Sequence, residues 1–186
     1  NYVTGGWDPA DLGSLSASEE AVVRVAEQWA KNGHEVWVHQ NGANAWWVET
    51  SVYAECGDGR KGSSRRHNGV EYLPRETGLP ESLDYLVLFK TLDHHEHPAR
   101  VKVFWTTDLP APGGAAVFLP PIVAERLDRV VCISEWHRER LLEACPWVPA
   151  EKITAHWVGV DPEEIRTARA AVPVPVPKRA VYASSL

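Results

Sequence analysis

The chain has 186 residues, 44% of them hydrophobic and 24% charged, with a formal net charge of -6. That size and balance fit one ordinary folded domain with a real core, or two small ones, and exclude a disordered chain. The acidic balance argues against a protein that grips nucleic acid by neutralising many phosphates, because such proteins show a broad basic surface.

No run approaches the roughly 18 apolar residues of a membrane span. The first residues carry no secretory pattern, so the expectation is a cytoplasmic protein without a transmembrane segment, for which peripheral membrane contact stays open. Three cysteines, Cys56, Cys132 and Cys145, are odd in number and lack metal-ligand spacing. A disulfide framework is therefore not expected. The sequence contains no Met and starts at Asn1, so the natural start is expected upstream.

In chain order, Asn1 to Val3 read as the tail of a short strand before a turn at Gly5 and Gly6. From Ser18 to Asn32, Ala21, Val22, Val25, Ala26, Trp29 and Ala30 recur at three- and four-residue steps, the stripe of an amphipathic helix. Ser18 suits the cap, Glu19 and Glu20 the positive end of the dipole, and Gly33 the stop. "HEVWVHQ" reads as a strand, while Asn41 to Ser64 fits strand or helix. Arg60, Lys61, Arg65 and Arg66 read as a solvated basic loop. "GVEYLP" is a further strand. "DYLVLFK" and "VKVFW" are continuous apolar runs of the kind found in strands buried on both faces.

"FLPPIVAERLD" predicts a short helix and "RVVCIS" another buried strand. Ser134 then caps a helix that turns Trp136, Leu141, Leu142 and Cys145 toward the sheet. "EKITAHWVGV" is a strand entering a loop, and "DPEEI" opens a helical turn with Pro162 in its first turn. Alternating strands and helices predict an α/β fold, a Rossmann-like doubly wound parallel sheet. Ligands of such sheets sit beyond the carboxyl ends of the strands.

Four stretches bear on chemistry. "SASEE", Ser16 to Glu20, opens a helix whose free N–H groups suit the phosphate of a nucleotide-sugar, although an ordinary capped helix explains the same residues. "WTTDLP" follows a buried strand; Asp108 suits positioning of a sugar hydroxyl or proton transfer, and equally suits capping the next turn. "HHEH" puts His94 and His97 on one face if it is helical, but no second motif completes a metal shell, so no metal is expected. Ser134 beside His137 invites a hydrolase reading, against which stands the absence of a Gly-x-Ser-x-Gly elbow.

Taken together, "SASEEAVVRVAEQWAKNGHEVWV", "DYLVLFK", "VKVFWTTDLP", "LDRVVCISEWHRERLLEACPWVPAEKITAHWVGVDPEEI" and "KRAVYASSL" resemble the amino-terminal half of GT-B glycosyltransferases, in particular the retaining family-four group. The resemblance covers most of the chain from Gly5 onward. It implies transfer of a sugar from a nucleotide-sugar donor to a carbohydrate or other acceptor, in a cleft between two Rossmann-like domains, with no cofactor and usually no metal. Within it, the family's Gly-Gly-x-Glu loop falls on Ser16, Ala17, Ser18 and Glu19, both glycines being replaced. The Trp-x-His-Asp stretch falls on Trp105 to Asp108, with Thr107 in the histidine position, and Gly159, Val160 and Asp161 match the loop before the interdomain crossing.

The implied domains are an acceptor-side domain over 1–172, a proline-rich linker over 173–178, and at 179–186 the first strand of a carboxyl-terminal donor domain that the chain lacks. Asp108 is the expected catalytic residue, and Gly5, Gly6, Ser16, Ala17, Ser18, Glu19, Thr107 and Ser134 the expected substrate-binding residues. Two other expectations share the architecture. One is a non-hydrolysing nucleotide-sugar epimerase, and the other a carbohydrate-binding module without chemistry.

Overall fold

Two sheets, each lined by apolar strand residues, organise the protein. In this computed structural model the described residues are 8–11, 15–40, 65–74, 77–110, 119–156, 159 and 162–171. The expectations for Asn1 to Gly6, for 41–64 including Arg60 and Lys61, for the linker and for the strand at 179–186 lie outside them. The chain divides into two units, Asn1–His156 and Trp157–Leu186.

The first sheet joins β1 (Val36–Gln40), β2 (Arg65–His67) and β3 (Val70–Pro74) in the order β1-β3-β2, with β1 parallel to β3 and β2 antiparallel to it. β2 corrects the reading of Arg65 and Arg66 as loop. The signal was the Asn68-Gly69 pair, which takes the left-handed conformations (φ 47° and 85°) of a tight two-residue hairpin. Arg65 is held by Asp8 at 2.5 Å, so this part of the basic run is structural.

Helix α1 (Ala17–Lys31) packs on this sheet through Val23 and Ala26, against Val70 and Tyr72. The buried stripe is turned by one residue from the predicted one: Val23 replaces Val22 at the centre, Trp29 is exposed, and Glu27 is buried. Glu27 can go inside because Asn68 Nδ2 donates to its carboxylate at 2.8 Å and His67 lies 3.5 Å away. A buried carboxylate needs such partners. Beside it, burial pushes the Tyr72 hydroxyl well above its ordinary value, with Glu27 adding to the shift.

The helix starts two residues earlier than predicted. Ser16, not Ser18, is the cap, because Glu19 at the third helical position completes a capping box with it. The end is as predicted: Gly33 is left-handed (φ 90°), and the N–H groups of Gly33 and His34 bond back to Ala30 and Trp29. This is the pattern of a glycine-terminated helix.

Gly69 gives a stability test. A β-carbon there would meet the Ala30 side chain at 3.2 Å in a left-handed backbone, whereas at Gly33 it would meet nothing within 4 Å. Gly69→Ala is expected to cost about 2–3 kcal/mol and Gly33→Ala about 1 kcal/mol, read as shifts of the denaturation midpoint. Equal losses would show that contact with Ala30 adds nothing to the backbone cost.

The second sheet is all parallel: β4 (Leu83–Phe89), β5 (Ala99–Trp105), β6 (Arg129–Cys132) and β7 (Ile153–Ala155), in that order. Helices α2 (Pro121–Glu125) and α3 (Glu135–Ala144) lie in its connections. Leu86, Leu88, Phe104, Val130, Cys132 and Ile153 from the strands meet Val123, Ala124, Leu127, Leu141 and Cys145 in one core. β4 is not buried on both faces as predicted. It ends the sheet, so Leu86 and Leu88 are covered while Tyr85 is exposed and carries the Arg100 guanidinium 5.7 Å from its ring centre.

On α3 the prediction also needs one correction. Trp136 is exposed, and His137 takes the inward place in register with Leu141 and Cys145, four and eight residues on. Lys152 Nζ bonds the Leu127 carbonyl at 2.6 Å, tying the start of β7 to the end of α2. In the second unit, α4 (Pro162–Ala170) begins with Pro162 in its first turn, as predicted, and runs for nine residues.

Candidate functional site

Four parallel strands put four carboxyl ends on one edge, and the chemically interesting residues follow those ends. Lys90 follows β4, Thr106 to Asp108 follow β5, Ser134 follows β6, and His156 follows β7. The edge is held level by main-chain bonds past the strands: Lys90 to Trp105, Thr106 to Val131, and His156 to Cys132.

The "WTTD" corner is built by Thr106, which is fully buried. Its hydroxyl accepts from the Asp108 N–H at 3.1 Å and donates to the Asp108 carbonyl at 3.2 Å. Thr106 therefore does the turn-closing that Asp108 was equally suited to do, and the Asp108 carboxylate is left to project outward. It is 42% exposed and pairs with Lys90 Nζ at 3.0 Å. Lys90 reaches it from a left-handed position, φ 56°.

Thr107 faces the start of α1. Its hydroxyl lies 3.5 Å from the Ser18 hydroxyl, a contact between residues 89 apart in sequence. Within "SASEE" the roles separate. Ser16 and Glu19 spend their side chains on each other's main chain, at 3.4 Å and 2.7 Å. Ala17 offers no polar atom, so Ser18 is the residue of that loop directed at the sheet edge.

Ser134 caps α3, its hydroxyl accepting from the His137 N–H at 3.1 Å. Ser134 meets the main chain of His137 and not its ring, so no serine–histidine nucleophile pair exists here. The structure thus brings Ser18, Thr107, Asp108 and Ser134 to one edge. Ser16, Ala17 and Glu19 stand in the first turn of α1 beside them, and Gly5 and Gly6 lie outside the described residues.

Lys90 was not singled out in sequence, and His137 was noted there only as a neighbour of Ser134. Lys90 had a readable signal, since a lone cation closes the apolar run "DYLVLF". His137 had one too, as its four-residue spacing from Leu141 and eight from Cys145 marks the buried stripe. Burial lowers the His137 pKa from its ordinary 6.5, partly opposed by the Asp108 main chain and carboxylate. As pH falls, the unfolded chain takes this proton first, so stability is intact above about pH 6.5 and declines toward the folded-state value. The denaturation midpoint of the protein is expected to drop as pH falls below about 6.5, and His137→Gln to flatten that limb.

"HHEH" is not helical. His94 is left-handed (φ 62°), the His95 ring meets the Leu92 carbonyl at 2.8 Å, and the His97 ring meets that of Pro80 at 2.7 Å. Among the described residues no group of three or more His, Cys, Asp or Glu is placed to hold a metal ion. Cys132 and Cys145 are buried thiols whose pKa values burial raises, which makes them poor nucleophiles. No helix among the described residues is long and apolar enough to cross a membrane. Comparisons with models of protein families, with curated proteins and with solved structures find no match to this chain.

Proposed function

We propose that the chain is the acceptor-side, Rossmann-like half of a GT-B glycosyltransferase that moves a sugar from a nucleotide-sugar to an acceptor with retention. The observation that carries the reading is the meeting of Ser18 with Thr107 at 3.5 Å. Two stretches picked out by their resemblance to the donor-phosphate loop and to the sugar-side corner lie together at the carboxyl edge of a parallel sheet, where α/β proteins bind ligands.

In this reading Asp108 is the catalytic carboxylate. It holds a sugar hydroxyl and its negative charge favours the cationic sugar of the transition state, while Lys90 keeps the carboxylate in place. Thr107 and Ser18 supply hydroxyls to the bound sugar. The first turns of α1 and α3 turn unsatisfied N–H groups toward the same edge, which suits the departing phosphate. Ser134 contributes by fixing the start of α3. Residues 1–172 form this half, 173–178 the linker, and 179–186 lead into a second domain that holds the nucleotide.

The test is product analysis with labelled nucleotide-sugars, with and without acceptor, on a protein that joins this chain to a donor domain. Acceptor-dependent transfer with the anomeric configuration kept supports the reading. Interconversion of nucleotide-sugars without acceptor would make the protein an epimerase. Carbohydrate binding without turnover would make it a binding module. Calorimetry on this chain alone should show only weak nucleotide-sugar binding, because the nucleotide pocket belongs to the other domain.

A further inference from the structure

Lys90 follows β4 in a left-handed conformation, φ 56°, fixed by the bond from its N–H to the Trp105 carbonyl at 2.9 Å. That conformation costs energy in any residue with a β-carbon, and glycine would avoid the cost. The ion pair with Asp108 offsets little of it, because pairs exposed to this degree contribute little to stability. Residues held in such conformations cluster at ligand sites. Stability therefore does not account for a lysine at this place, and the side chain is what it supplies. Its Nζ lies 3.0 Å from Asp108 Oδ1 at the carboxyl edge of the sheet. An ammonium has three N–H donors, and this pair engages one of them. Among the described residues directly after the four strand ends, Lys90 is the one lysine or arginine.

We propose that Lys90 is an anion-binding residue whose ammonium, kept in place by Asp108, bridges that carboxylate to a phosphate group of the ligand. The phosphate oxygens accept from the N–H groups that Asp108 leaves open, in short charge-assisted bonds. The cation between them lowers the repulsion of two anions, so a phosphate-bearing ligand can settle with its sugar against Asp108. The chain's net charge of -6 repels anions at long range, and saturable phosphate binding must then come from a local cation. The same recognition serves a phosphate of the nucleotide-sugar or one carried by the acceptor. The inference rests on the carboxyl edge being the ligand site proposed above, but its first test needs no turnover.

The experiment is titration of the full chain with inorganic phosphate, followed by NMR of the main-chain amides. In the unchanged protein the Lys90 and Asp108 amides are expected to shift together with one saturable midpoint. Unmoved amides, or no saturation, overturn the proposal. Lys90→Met is expected to weaken phosphate binding about fivefold, the scale of one partly exposed ionic contact, and Lys90→Arg to keep it within about twofold. Lys31→Met, which removes the same charge from the last turn of α1, is the control. An equal loss in that variant overturns the proposal, since the effect would be general charge. Repeating the titration with a hexose 6-phosphate and with a nucleoside diphosphate separates the sources: dependence on Lys90 in the first assigns the phosphate to the acceptor, and in the second to the donor. Lys90-dependent phosphate binding without sugar transfer sinks the transferase reading alone. Sugar transfer whose KM values are untouched by Lys90→Met sinks this inference alone.

Discussion

Asp108→Asn is expected to lower kcat/KM for sugar transfer by about 100-fold or more, the usual scale for removing one preorganised electrostatic group from a site. The substitution keeps the side chain's size and the turn made by Thr106, whose two bonds go to Asp108 main-chain atoms. Stability should change by less than about 1 kcal/mol, because the exposed pair with Lys90 contributes little. Lys90→Met separates two explanations. If the carboxylate acts on the sugar, losing Lys90 costs less than about tenfold, since the carboxylate remains. Equal losses in the two variants would reduce Asp108 to half of a structural ion pair.

Phe104→Ala is expected to lower stability by about 3–5 kcal/mol, the range for emptying a buried aromatic site. Phe104 is 2% exposed on β5, the second strand of the parallel sheet, and belongs to the core shared by α2, α3 and the strands. The two residues that follow it differ in consequence. Trp105 stacks edge-on against Phe89 at 4.9 Å between ring centres, and Thr106 begins the site corner. A collapse around position 104 therefore reaches the Asp108 turn as well. Tyr85→Ala on β4, where the side chain is 55% exposed, is the matched control. It should cost less than about 1 kcal/mol by denaturant titration.

Local rules made much of this readable. Val- and Leu-rich runs of five to seven residues cannot stay in water, so β4, β5 and β6 were visible without neighbours. The capping serine at 134 and the glycine at 33 marked helix ends, because unpaired main-chain groups there need a partner at short range. The placing of Ser18, Thr107, Asp108 and Ser134 at strand or helix ends was also legible, since those ends follow from element boundaries.

What failed to be read depended on partners distant in the chain. Glu27 looks like a solvent residue until Asn68 and His67 arrive from the β2–β3 hairpin, and so the buried face of α1 was misjudged by one residue. Trp136 is more apolar than His137, yet the helix turns His137 inward, because the axis is set by Leu141 and Cys145 packing on the sheet. Tyr85 and its strand read as doubly buried only because the sequence does not say which strand ends the sheet.

By itself the sequence determined β1, β3 to β7 and the helices, their alternation, and the polar residues that stand where elements end, all consequences of side-chain pattern over one or two turns of chain. Tertiary structure alone decided that Ser18 meets Thr107 and that Lys90 rather than a turn N–H holds Asp108. Those are contacts across 18 to 89 residues. Their energy comes from groups whose proximity only the parallel sheet, and the core that fixes it, can create.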